Sequence, residues 1–121
     1  MEIRPLVRED MPFENGAYGQ RLLPWHAVNA PFEGAWVTVP AKGATGAHEH
    51  HEYELFVAIS GNAEIEVDGE RRPFKAGDVE FHSPHKLHRV INDSDTDFEF
   101  YAIWWDTDMS DKFLARHEEQ V

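Results

Sequence analysis

The chain has 121 residues, with 11 Lys and Arg against 23 Asp and Glu, a formal net charge of −12. That length carries a single domain, residues 1–121, and a 41% apolar fraction is enough for its core. The acidic balance, without a basic stripe, excludes a nucleic-acid backbone as the expected partner. The lack of cysteine removes disulfides and thiolate metal sites and fits a cytoplasmic protein, and no apolar run approaches a membrane span.

Residues 1–20 read as an N-terminal arm, polar, charged and interrupted by Pro5 and Pro12. Gln20 to Trp25 has the pattern of a short strand stopped at Pro24. Phe32 to Val39 alternates and ends at Pro40, a strand signal. Ala41 to Ala47 is a loop with Gly43 and Gly46. Leu55 to Ile59 is an apolar run that reads as a buried strand. Ala63 to Val67 alternates strictly, acidic at even positions, and Asp68-Gly69 is a hairpin turn signal. Arg71 to Phe74 is the short return. Val79 to His82, His88 to Ile91 and the aromatic run Phe98 to Trp105 complete the strands, with turns between them. Many short strands separated by Gly and Pro turns indicate an all-β antiparallel sandwich or barrel, its core over about residues 32–105. Only residues 110–120 look helical, with Ser110 as cap and Phe113, Leu114 and His117 as a buried stripe.

Six of the eight histidines lie between His48 and His88. His48 and His50 share a face if the backbone is extended, and a bend after His50 brings Glu54 beside them. Two imidazoles and a carboxylate on one wall suit a divalent transition metal such as zinc, iron, manganese, cobalt or nickel. A solvated His-rich segment is the alternative. Against it, Glu54 leads straight into the apolar run, where a carboxylate is costly unless it is paired or metal-bound.

Two motifs together resemble the cupin superfamily of small double-stranded β-helix, or jelly-roll, barrels. In the first, His48, His50, Glu54 and Gly61 stand at the family's intervals, and Gly43 is one residue late. In the second, Gly77, His88 and Asn92 match, while Ser83 and His85 replace the usual Pro and Gly. The resemblance implies that His48, His50, Glu54 and His88 hold one metal inside the barrel with open coordination positions. The run from Trp25 to Asp106 is further similar to small cupins paired with methionyl-tRNA-synthetase-like proteins in hydrazine synthetases. That implies zinc, a synthetase-like partner, and rearrangement of an amino-acid ester of an N-hydroxylated amine, such as N6-hydroxylysine, to form an N–N bond.

Acid/base candidates for such chemistry are Glu52, Tyr53, Glu80 and Tyr101. Phe56 and Val90 lie two residues beyond Glu54 and His88 and are expected to line the substrate pocket. His82 is a further pocket candidate that shares a strand face with Glu80, and an exposed position for that face is slightly favoured. His51 points away from the ligands. His85 is a weaker candidate for substrate contact. The four tryptophans offer an aromatic face through which cupins pair, so a homodimer is expected. An iron or manganese dioxygenase and a non-catalytic, metal-dependent small-molecule binding module are the alternatives. A small-molecule substrate is common to the enzyme readings.

Overall fold

The computed structural model describes residues 1–28 and 30–118. In chain order the strands are β1 (Phe13–Glu14), β2 (Ala17–Arg21), β3 (Phe32–Val39), β4 (Tyr53–Ser60), β5 (Asn62–Val67), β6 (Glu70–Lys75), β7 (Val79–His82), β8 (His88–Ile91) and β9 (Phe98–Trp105). A 3-10 turn, Arg8–Asp10, precedes them, and helix α1 (Thr107–Glu118) follows. Strands β1-β2-β3-β9-β4-β7 form one sheet and β6-β5-β8 the other, and every pairing is antiparallel.

Alternation makes the core. Side chains on a strand point to opposite faces in turn, so one half of each strand meets the interior. Phe98, Phe100 and Ala102 of β9 pack with Phe56 and Ala58 of β4, Val39 of β3, Ile65 of β5, Phe74 of β6 and Val90 of β8. Phe74 meets Phe98 and Phe56 meets Phe100 at ring separations of 5.5 and 4.6 Å. Each such buried side chain contributes roughly 1.5–3 kcal/mol.

The two sheets are joined along the segment that carries the first motif. Backbone bridges Ala44–Ile91 and His48–His88 lay residues 44–48 against β8. Asn92 then pins the seam. It is fully buried; its Nδ2 donates to the carbonyls of Val39, Pro40 and Thr96, and its Oδ1 accepts from the Ser94 amide and hydroxyl. The turn before His88 needs a left-handed residue, and His85 supplies it at φ +64°. Glycine is usual there because only glycine enters that region without steric strain. Lys42, one residue before Gly43, is left-handed too, at φ +61°. Lys42 thus holds a left-handed backbone at the position where the first motif usually has its glycine.

Several expectations need correction. The strand expected at Gln20–Trp25 is Ala17–Arg21, because the chain turns at Asn15-Gly16 and pairs at once with β3. The arm thus contributes β1 and β2 to the large sheet. Of the run Leu55 to Ile59 only Phe56 and Ala58 are fully buried, since a strand in this wall has one face outside. Helix α1 starts at Thr107 rather than Ser110: Asp106 Oδ1 accepts the Asp108 amide at 2.8 Å and caps it. Its expected buried stripe is exposed, with Phe113 at 60% and Leu114 at 49%, and His117 stacks on Phe113. Residues 119–120 of that expected helix lie outside the described residues.

Candidate metal centre

The four motif residues converge. One donor atom each from His48, His50, Glu54 and His88 lies within 4.8 Å of the other three. Glu54 enters from β4 and His88 from β8, both buried. His48 is fixed by its backbone pair with His88, at N–O distances of 3.2 and 3.0 Å. His50 is held by its carbonyl, which accepts the His85 amide at 2.8 Å. Bends at His51 and Glu52 return the chain so that Glu54 faces the two imidazoles.

Each imidazole of the cluster is turned the same way. Nδ1 of His48, His50 and His88 lies 3.2, 3.2 and 2.7 Å from the carbonyls of Gly46, Glu52 and Lys86. A carbonyl only accepts, so each Nδ1 carries the proton and donates it. That leaves the three Nε2 lone pairs for the centre, the arrangement in which outer partners orient metal-binding histidines. His88 Nε2 is buried without a hydrogen bond. It stands 3.1 Å from Glu54 Oε1, but not in hydrogen-bonding alignment. A buried, unpartnered nitrogen beside a carboxylate and two further imidazoles is a donor set that a bound metal ion would satisfy. Three imidazoles and one carboxylate fit a divalent first-row metal.

Charge is arranged to keep Glu54 ionised. Burial alone raises its pKa, but the hydrogen bond from His82 and the other imidazoles packed against the carboxylate outweigh that and hold it at about 2. His48 is pushed down from the usual histidine range, first by burial, with the Gly46 carbonyl opposing and His88 assisting. Its neutral form is the one that ligates a metal.

His82 is the main departure from expectation. It is 4% exposed, not solvent-facing. The β4–β7 register sets it beside Glu54, and Nε2 donates to Glu54 Oε1 at 3.1 Å. Nδ1 faces both oxygens of Glu80 at 2.9 Å. Burial lowers the pKa of His82, yet the bonds to Glu54 and Glu80 lift it to about 9, so both nitrogens donate. Glu80 and His82 stand behind Glu54 and do not line the cavity. The signal was the parity shared by Glu54 and His82 on paired strands.

A cavity of about 960 Å³ opens in front of the cluster. Phe56 and Val90 line it, as does Glu52. Tyr53 and Tyr101 do not, because they occupy the opposite face of β4 and β9 from Glu54, Phe100 and Ala102. Tyr53 stacks between Phe81 and Trp105 on the outside, and Tyr101 meets Trp36 edge-on. His51 and His85 are exposed. Arg21 and Trp104 also line the cavity; Trp104 was expected on an aromatic pairing face and Arg21 carried no expectation as a pocket residue.

The family described as the cupin domain matches residues 35–104, which contain all four cluster residues. The chain belongs to the cupin family. A Cupin 2 conserved barrel domain protein from Salinispora arenicola is 50% identical, covering 97% of this chain and 98% of its own, with a TM-score of 0.85. The plu4264 protein of Photorhabdus luminescens is 42% identical over 96% and 97% of the two chains, with a TM-score of 0.84. An oxalate-binding protein of Thermotoga maritima is 33% identical over 70 residues. This cupin chain spans 58% of that protein's length, and the match covers 57% of its own. Among the described residues no helix is long and apolar enough to cross a membrane.

Proposed function

We propose that this cupin is a metal-dependent enzyme acting on a small organic molecule seated in the cavity. The observation that carries it is the common orientation of the three imidazoles, each Nδ1 tied to a carbonyl, which turns Nε2 of His50 and His88 to within 3.0 and 3.1 Å of Glu54. A divalent metal held by His48, His50, Glu54 and His88 would supply a Lewis acid. Zinc is the metal we favour; iron, manganese and nickel suit the same ligands.

Within that class we favour rearrangement of an amino-acid ester of an N-hydroxylated amine. The α-amino nitrogen attacks the hydroxylamine nitrogen, the N–N bond forms as the N–O bond breaks, and the oxygen leaves as the released carboxylate. One proton leaves the attacking amine, and no external oxidant is needed. Of the acid/base candidates only Glu52 lines the cavity, so we assign it that proton. Glu80, behind Glu54, acts by holding His82. Support comes from the resemblance over Trp25 to Asp106 and from a cavity of about 960 Å³, which accepts a two-part substrate. The ester would come from a methionyl-tRNA-synthetase-like partner.

A second reading is a binding or decarboxylating role toward oxalate, favoured by the name of the Thermotoga relative. The test is to incubate metal-loaded protein with the lysyl-type O-ester and, separately, with oxalate. Isomerisation of the ester to a hydrazine, abolished in His50→Ala, supports the first reading. Carbon dioxide release or tight binding with oxalate alone overturns it in favour of the second.

A further inference from the structure

The positive charges of this acidic chain are distributed unevenly. Among the described residues, Arg8, Lys42, Arg71, Arg72, Lys75, Lys86 and Arg89 each pair with a carboxylate. Among the described residues from Met1 to Trp105, only Arg4 and Arg21 have no acidic partner within 4.0 Å, although acids outnumber bases 23 to 11 in the sequence. Both line the cavity of the metal cluster. Arg4 is occupied elsewhere, donating to the Pro24 carbonyl and lying over Trp25. Arg21 is free.

Arg21 is also aimed. It follows Ala17 and Gly19 on the inward parity of β2, and Ala17 is part of the core. Its guanidinium lies 5.7 Å over the ring of Trp104. Trp104 is the register partner of Glu54 on β4. In the row that Arg21 heads, Ala35 and Ala102 stand between it and Phe56, so small side chains leave the space open. Three inter-strand spacings separate Arg21 from β4, roughly 14 Å between backbones, and the arginine side chain spans part of that.

We propose that Arg21, stacked on Trp104, anchors a carboxylate of the substrate on the β2 side of the cavity, across from the metal cluster. This rests on the metal-dependent reading and names the substrate class: a molecule with one oxygen-bearing group at the His/Glu cluster and a carboxylate some distance away. A single planar guanidinium fork matches a carboxylate. Asp10, Glu14 and Glu52, which share the cavity wall, weigh against a phosphate dianion.

The test uses calorimetric titration of the metal-loaded full chain with acetate, oxalate and unbranched α,ω-dicarboxylates up to eight carbons. A mid-length dicarboxylate is expected to bind at least about 10-fold more tightly than acetate or oxalate. Arg21→Gln should lose about 10-fold for that ligand and nothing for acetate, with Arg21→Lys between. Arg72→Gln, which removes the same charge from a pair with Glu70, should change neither. Equal affinities in wild type and Arg21→Gln for every dicarboxylate, or no dicarboxylate binding, overturn the anchor. The same titrations on protein that takes up no metal separate the two claims: Arg21 dependence there keeps the anchor and overturns the metal reading alone.

Discussion

Strands β5 and β7 carry the same alternation and face opposite ways. In β5, Ala63, Ile65 and Val67 pack on the core, while Glu66 stays outside and pairs with Arg71 and Arg89. In β7 the order is inverted. Val79 and Phe81 are 63% and 57% exposed, and Glu80 and His82 turn inward. A hydrophobic pattern fixes which residues share a face, and the interior decides which face it receives. β5 packs on a core that holds Phe56, Phe74, Phe98 and Phe100. β7 pairs with β4 where Glu54 is buried, and an ionised carboxylate demands donors more than it tolerates apolar neighbours.

That contrast breaks most visibly in stability. Ile65→Ala, which empties a buried site, is expected to lose about 2–5 kcal/mol. Phe81→Ala, at an outward site, should lose under about 1 kcal/mol of its Tyr53 and Trp105 stacking. Chemical denaturation of the two variants checks the pair, and equal losses would mean β7 has been assigned the wrong face.

The inward polar pair sharpens the comparison from the other side. Replacing Glu80 and His82 together by Leu should lower the stability of the metal-free chain by about 1–3 kcal/mol, because Glu54 stays buried and loses its donor. Metal affinity should fall about 10- to 100-fold, because Glu54 loses the donor that orients it. Competition with a chelator measures this. Unchanged affinity would leave His82 without a role at the centre.

Outside the barrel, charge pairs act more weakly. Glu99 is held below the usual carboxylate range of 4.5, mainly by its hydrogen bond with Arg8, with burial opposing and Thr38 and Ser60 assisting. A depressed carboxylate stabilises above its unfolded value and loses that contribution as pH falls through the folded one. The melting-temperature gap between wild type and Glu99→Gln should therefore narrow as pH drops below 4.5. A gap that stays constant would show that Glu99 acts by packing. Smallest of all, His85→Gly relieves a left-handed histidine and should add up to about 1 kcal/mol.

The four cluster residues were legible because their spacing survives whatever the turns do. Strands β3, β8 and β9 were legible because alternation ended at proline or turn residues. His82 was not, since an alternating strand read alone puts Val79 and Phe81 inside. Residue type makes Tyr53 and Tyr101 acid/base candidates, and parity opposite to Glu54 and Phe100 puts both outside. Arg21 was hidden by the misplaced start of β2; once Ala17 is known to face the core, Arg21 must share that face. The exposed stripe of α1 shows that helical pattern announces a face without supplying what covers it.

Elemental analysis of the purified chain beside His88→Ala tests most directly whether the His/Glu cluster holds a metal. Close to one equivalent of a first-row divalent metal per chain, falling to a small fraction in a folded His88→Ala variant, is the predicted result. Wild-type protein that takes up no metal when supplied with it, or a variant that keeps as much as wild type, would contradict it.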